Sequence, residues 1–305
     1  MFFKMREMTF KQKVSRMSMA YFILLVLTSV FQGITGGVLM VLAPDFNKNP
    51  IFIWVLTTIP LYLMAVPFFL LIMKKIPNTS EAPQKKEISI GKFLKILAVA
   101  FAFMMIGNLI SMALISLIAV LKGSAIVNPL ETVVGGSNWI YTLIFGAIVG
   151  PIGEELLFRY LPYKKLREYG EKAYILVSAL IFGLFHANLF QIIYAFLIGA
   201  VLAYVYAKTG KIIYSILLHM ALNAYGMVLA PMIATNEMMI IPMSIFIYAL
   251  MAVGIFFCIK SRKTVTYDIG TTPLPEKPLK AALVNVGFIV FFVSITVLTV
   301  ATMFI

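Results

Sequence analysis

Long apolar runs, separated by short polar segments, dominate the chain. A helix needs about 17 to 25 apolar residues to cross the hydrocarbon core of a bilayer. Runs of this kind cover residues 18–43, 51–73, 96–121, 138–161, 173–187, 190–207, 212–233, 238–260 and 281–305. The fifth run is short, and the sequence does not sharply define where it ends and the sixth begins. The pattern therefore predicts an all-α, polytopic transmembrane helical bundle with eight or nine spans.

Two polar, proline-containing segments, 74–95 and 260–280, are typical of loops and divide the spans. The first region (1–95) combines an amphipathic N-terminus, two peripheral spans and a loop. The second region (96–260) is the membrane core, and the third (261–305) is a loop followed by the last span. We expect the catalytic core in spans four to seven.

The N-terminal residues that precede the first span carry an amphipathic pattern. Apolar side chains at Phe3, Phe10, Val14 and Met17 fall on one helical stripe, with basic residues around it. Such a stripe is typical of a helix that lies along the membrane surface.

The hydrophobic content of 62% and mean hydropathy of +0.99 exclude a soluble globular protein.

The positions of the charged residues argue against nucleic acid as a partner. With a cytoplasmic N-terminus, 22 of the 25 Lys and Arg residues lie on the cytoplasmic side, and Lys48 and Lys122 lie opposite. The positive-inside rule thus explains the net charge of +13 without nucleic acid. Anionic lipid at the cytoplasmic face is the expected polyanionic partner.

Two adjacent carboxylates, Glu154 and Glu155, lie within the fourth apolar run. Ionisable residues at membrane depth are costly and usually functional. Pro151 just before them cannot donate to the carbonyl of Ala147, so the helix should open there and need a polar cavity. Glu155 precedes Arg159 by one helical turn, which favours an ion pair. Glu154 faces elsewhere and is the candidate general base.

The two histidines of the chain also fall in apolar runs. His186 ends the fifth run, and His219 lies one helical turn before Asn223 in the seventh. Measured along their helices from the cytoplasmic ends, Glu154 and His219 reach similar depths and can meet. His186 joins them if its helix is tilted or begins in a recess.

The elements Glu-Glu-x-x-x-Arg, Phe-x-x-x-His and His-x-x-x-Asn, in this order in a polytopic chain, resemble the CAAX protease and bacteriocin-processing (Abi) family. Its eukaryotic members are type II CAAX prenyl endopeptidases. The resemblance covers about residues 140–223 and places the motifs on Glu154, Glu155, Arg159, Phe182, His186, His219 and Asn223. Tyr160 departs from the family, where a glycine often follows the arginine.

This resemblance implies an intramembrane endopeptidase that acts on a peptide or membrane-protein substrate. We expect a water molecule held by His186 and activated by Glu154, with His219 and Asn223 donating to the oxyanion. The supporting residues are Glu155, Arg159 and Phe182.

The participation of a metal is open at this point. Glu154, His186 and His219 could supply three ligands to zinc and leave a fourth position for water. The chain lacks the His-Glu-x-x-His element of ordinary zinc proteases. The sequence is therefore compatible with metal-free and with zinc-assisted hydrolysis, and the cofactor is unknown.

A non-hydrolytic protein is the alternative class, because buried Glu and His also mark proton-coupled transporters and scaffolds. Transporters often contain repeated halves with matching broken helices, and the sequence shows one broken helix without a repeat. Bacterial relatives of the resembled family are associated with bacteriocin self-immunity and peptide processing, which implies a bacterial plasma membrane. The short loops favour a small or extended substrate from lipid or cytoplasm, and the oligomeric state is unknown.

Overall fold

The computed structural model describes residues 8–79, 85–135 and 137–304, and these residues form a helical bundle. Its helices are α1 (Phe10–Leu42), α2 (Phe52–Lys74), α3 (Ile90–Lys122), α4 (Pro129–Gly135), α5 (Trp139–Tyr169), α6 (Glu171–Phe185), α7 (Leu189–Thr209), α8 (Ile212–Ala234), α9 (Glu237–Ser261), α10 (Pro278–Leu283) and α11 (Val286–Thr302). Seven of them are long and apolar enough to span a membrane, which confirms the predicted polytopic bundle.

Two of the nine predicted spans correspond to shorter helices. Helix α6 has 15 residues and α11 has 17. At 1.5 Å per residue they reach about 22 and 26 Å, less than the hydrocarbon thickness of about 30 Å. Because α6 stops short, the turn that joins it to α7 lies at membrane depth.

The N-terminal segment is not a separate surface helix. Residues 10–17 form the first turns of α1, which continues without a break into the first span. Phe10, Val14 and Met17 are buried in the protein core, and Phe3 lies outside the described residues. The apolar stripe therefore packs against protein, and buried Lys13 beside it pairs with Glu168.

Helix α7 packs closely between α3 and α6. A Cβ added at Gly107 of α3 would lie 2.5 Å from the Cα of Tyr194, and one at Gly183 of α6 would lie 2.9 Å from the carbonyl oxygen of Ile192. Small residues permit this backbone approach, which is how helices associate without a hydrophobic driving force. This close approach fixes α7 against α3 and α6.

A strap, residues 268–272, ties the α9–α10 connection to the corner between α5 and α6. The Asp268 backbone donates to the carboxylate of Glu171 at 2.8 Å, and the Glu171 backbone donates to the Asp268 carbonyl at 3.1 Å. Thr272 donates to the carbonyl of Glu168 at 2.8 Å. Lys208 contacts Glu171 and Asp268 at 2.5 and 3.2 Å, so cations and anions alternate across the corner.

The strap should lose stability in acid. The hydrogen bond from Lys208 to Asp268, assisted by the charges of Lys208 and Arg167, lowers the pKa of the Asp268 carboxyl below its ordinary value. A lowered pKa stabilises the fold above the unfolded value, about 3.9, and this contribution disappears as pH falls through the folded value. We expect Asp268→Asn to lower the melting temperature of the detergent-solubilised protein near neutrality. The difference from wild type should vanish in acid, and a constant difference at every pH would contradict this origin.

Candidate active site

The backbone of α5 widens on both sides of Glu154 and Glu155. From Thr142 to Val149 the helix is π-type, and the Gly150 N–H bonds the Phe145 carbonyl five residues back. In this register Pro151 faces the carbonyl of Gly146, whereas the expected α-helical register pairs it with Ala147. Asn223 of α8 donates its side-chain amide to that Gly146 carbonyl at 3.0 Å. A side chain thus replaces the bond that proline cannot make.

The second widened segment, Leu156–Tyr160, is stabilised by hydroxyl groups from neighbouring helices. Its carbonyls at Leu157, Phe158 and Arg159 accept from hydroxyls at 2.7, 2.5 and 3.3 Å. The respective donors are Tyr21, Ser178 and Tyr174. Because lipid offers no donors, irregular backbone at membrane depth needs such partners from the protein.

Helix α2 also helps to shape α5. The Tyr62 hydroxyl donates to the Gly150 carbonyl at 3.2 Å. A Cβ added at Gly153 would lie 2.2 Å from the Tyr62 ring. Only glycine permits this approach, which brings a phenol of α2 next to Glu154.

His219 lies between the two glutamates. Its Nδ1 is 2.9 Å from Oε1 of Glu155, and its Nε2 is 3.6 Å from Oε2 of Glu154. Glu155 and Arg159 are fully buried and form the predicted ion pair at 3.2 Å. Glu154 keeps 28% of its side chain exposed. Sequence reasoning gave Glu154 no partner on its own helix; the structure supplies one from α8.

His186 occupies the turn between α6 and α7. Helix α6 ends at Phe185, and Ala187 follows with a left-handed φ of 47°. Asn188 then caps the N-terminus of α7 by accepting from the backbone of Phe190 at 3.1 Å. An alanine in this conformation stores backbone strain of order 1–3 kcal/mol, a feature that clusters at functional sites. This turn places His186 in the wall of the cavity.

The hydrogen bonds of both histidines assign their tautomers. Nδ1 of His186 is 2.8 Å from the Phe182 carbonyl, which can only accept, so this nitrogen carries a proton. Nδ1 of His219 likewise carries a proton, because the Glu155 carboxylate beside it can only accept. In the neutral form each Nε2 is then an acceptor. Catalytic and metal-binding histidines are oriented by this kind of partner.

Phe182 packs against the charged groups of the site. Its ring centroid lies 4.0 Å from the Arg159 guanidinium carbon, within cation–π range. The rings of His186 and His219 meet it edge to face at 4.8 and 5.7 Å. One apolar ring thereby fixes three polar side chains.

A cavity of about 470 Å³ brings the candidate catalytic residues together. Glu154, His186, His219 and Asn223 all line it, as does Phe182. Glu155 and Arg159 lie behind this wall, in the protein interior. Sequence reasoning missed the contributions from α2, α3 and the connection to α5, which include Thr58, Tyr62, Asn108 and Glu131. Polar residues inside apolar runs were the available signal, but they carry no spacing that links them to the motifs.

Glu154, His186 and His219 have the chemical groups that zinc binds, but they do not converge on one point. The tautomers leave two imidazole acceptors near a carboxylate, which suits zinc. Within the described residues, however, no three His, Cys, Asp or Glu side chains converge closely enough to hold a metal ion. The described side chains, in this arrangement, therefore do not form a three-ligand zinc site.

Comparisons with known proteins point to the same part of the chain. Residues 136–225 match the family model described as "Type II CAAX prenyl endopeptidase Rce1-like". A Bacillus subtilis (strain 168) protein named "Putative membrane peptidase YdiL" is 33% identical over 88 residues, 28% of this chain and 36% of that protein. The chain thus spans about a third of the length of this curated relative. No solved structure matches the chain.

The matched region contains α5, α6 and α7 and ends two residues after Asn223, so it holds every motif residue of the site. It excludes α1 to α3 and everything after residue 225. Residues 136–225 are thus similar to the type II CAAX prenyl endopeptidase family, the resemblance that the motifs also indicate.

Proposed function

We propose that the protein is an intramembrane endopeptidase in which Glu154 activates a water molecule for attack on a peptide bond. One observation carries this proposal. Glu154 is the acid of the pair that faces the cavity, and it stands beside an imidazole that buried Glu155 orients. A carboxylate base next to an oriented imidazole is the arrangement that general acid–base hydrolysis requires.

The reaction begins with water between Glu154 and the Nε2 acceptor of His186. Glu154 takes a proton as the water oxygen attacks the carbonyl carbon and forms a tetrahedral oxyanion. The same proton then passes to the departing amine, the C–N bond breaks, and the products are a carboxylic acid and an amine. Each proton and electron pair is accounted for without a covalent enzyme intermediate.

Asn223 and His219 supply donors for the oxyanion. One amide hydrogen of Asn223 is committed to the Gly146 carbonyl, which anchors the side chain and leaves the second hydrogen for the cavity. His219 donates from Nε2 only as an imidazolium, because its Nδ1 hydrogen is directed at Glu155. In that form the charges of Glu154, Glu155, Arg159 and His219 sum to zero. Prepositioned donors of this type stabilise oxyanions effectively.

The proposed substrate is a peptide or a membrane protein, and the proposed location is a bacterial plasma membrane. The name of the Bacillus relative, a membrane peptidase, supports a peptide or membrane-protein substrate. Peptide processing, bacteriocin self-immunity and CAAX-type processing are the roles that the family resemblance offers. We place the N-terminus in the cytoplasm of a bacterial cell, with anionic lipid against the lysine-rich loops.

Replacing the proposed base tests the activity. We expect Glu154→Gln to lower the rate by about 10² to 10⁴, the usual contribution of a positioned base. Comparison of peptides from membranes and medium should show a precursor that accumulates uncut. Glu237→Gln is the matched control, since Glu237 begins α9 and does not line the cavity. Unchanged peptides with lost proton flux would indicate a transporter, and full biological function in the variant would indicate a scaffold.

Glu155 should differ from Glu154 in its effect on stability. Glu155→Gln leaves the buried Arg159 charge without its acid, and breaking a buried pair costs about 3–5 kcal/mol. Glu154→Gln removes no such partner, so its melting temperature should stay near that of wild type. The double variant Glu155→Gln/Arg159→Met should recover much of the loss in a thermal unfolding assay. Equal destabilisation by both single variants would contradict these roles.

Chelation tests the metal-free route. Because no three donors converge in the described residues, activity should survive exhaustive chelation and reconstitution in metal-free buffer. The assay is the cleavage rate of the accumulated precursor, measured with purified protein. Loss of cleavage that zinc alone restores would replace this route with a zinc-assisted one.

A further inference from the structure

The cavity lies in only one half of the bundle. Among the described residues, its inner limit in each helix is Tyr62 of α2, Met104 of α3, Glu154 of α5, Phe182 of α6, Ile198 of α7 and His219 of α8. No lining residue lies beyond these positions toward the lysine-rich face, which comprises the helix ends and connections at residues 74–95, 164–172, 208–211 and 260–263. The catalytic groups therefore form the floor of the cavity.

The mouth lies at the opposite face of the bundle. Asn128, Leu130 and Glu131, from the connection between α3 and α5, line the cavity. Glu131 is exposed at the surface. With 22 of 25 Lys and Arg residues at the other face, the positive-inside rule makes the mouth extracytoplasmic. This route differs from the entry from lipid or cytoplasm that the short loops favour.

The charge of the cavity is opposite to that of the chain. The chain carries a net charge of +13, yet the described lining residues include Glu131 and Glu154 and no Lys or Arg. A substrate that brings a free carboxylate to the mouth would meet like charge, whereas a basic side chain would meet an opposite one. Such repulsion against the wrong ligand is a source of specificity.

A chain of hydrogen-bonded polar groups supports the cavity wall: Asn128, Gln191 and Tyr194 line the cavity, and buried Asn188 lies behind them. The amide of Asn188, 5% exposed, donates to Asn128 at 3.2 Å and to Gln191 at 3.1 Å. Gln191 in turn donates to the Tyr194 hydroxyl at 3.0 Å. An extended peptide carries unpaired backbone groups, which are costly away from water. This wall gives them partners in a cavity otherwise lined mainly by apolar side chains.

We infer, building on the proposed function, that the site receives an extended peptide from the extracytoplasmic face and prefers a basic side chain at the mouth. Glu131 is the specificity-determining residue. Asn128 and Gln191, which buried Asn188 holds in place, align the peptide backbone, and Glu154 acts at the floor.

The route of entry can be tested without measuring activity. Cys258→Ser removes the single native cysteine, and Thr58→Cys then places a thiol in the cavity. Thr266→Cys, on the exposed loop after α9, is the control at the lysine-rich face. In intact expressing cells, a membrane-impermeant maleimide should label Thr58→Cys, and should label Thr266→Cys only after permeabilisation. The opposite pattern would overturn the extracytoplasmic route.

The preference for a basic side chain is tested with purified protein in detergent. The probes are internally quenched peptides that differ only in Lys, Gln or Glu at one position on either side of the cleaved bond. We expect Lys to be favoured over Glu by about fivefold or more at one position, and less in high salt. Glu131→Gln should lose most of this preference, while Glu237→Gln at the same face keeps it. Equal preference in wild type and Glu131→Gln would overturn the role of Glu131.

The labelling and cleavage experiments together distinguish failure of this inference from failure of the proposed function. If wild type cleaves no peptide of any charge, the proposed function fails and the substrate preference fails with it. The labelling result still decides the route of entry. If cleavage occurs with a preference for Glu, the protease stands and the inference about its substrate is wrong.

Discussion

The buried contact of Glu155 with Arg159 and His219 is the interaction on which the site depends. An isolated charge at this depth would be expelled or neutralised, so the acid can remain ionised only with a cation beside it. Arg159 meets this need from the same helix, and Phe182 covers the guanidinium face. Glu155 also fixes the orientation of the His219 ring, because its carboxylate contacts Nδ1 of His219. Glu154, which lies next to it in sequence, is thereby left for the cavity.

The backbone around this contact is equally constrained. Pro151 interrupts the hydrogen bonding of α5, and a helix in lipid cannot leave a carbonyl unpaired. The widened register and the Asn223 side chain solve this at Gly146. Asn223 therefore links a structural requirement to the proposed oxyanion donor. The break in α5 that would destabilise an isolated helix thus lies in the cavity wall, next to Glu154.

The motif residues come from one part of the chain, whereas the cavity wall comes from several. All motif residues lie within 136–225, where the family match lies. Tyr62, Thr58, Asn128 and Glu131 line the same cavity from outside that region. The family match therefore covers the motif residues but only part of the cavity wall.

The sequence by itself determined the helical bundle, because spanning a bilayer demands long apolar runs with internally bonded backbone. It also determined the candidate residues, since charge at membrane depth is rare enough to single out Glu154, Glu155 and two histidines. It did not predict that α6 stops at Phe185, that residues 10–17 are buried, or that Asn223 bonds Gly146. These features depend on contacts between helices, which hydrophobic periodicity does not encode. Tertiary packing alone placed His219 between the two acids and the cavity away from the lysine-rich face, because both follow from how separate helices cross.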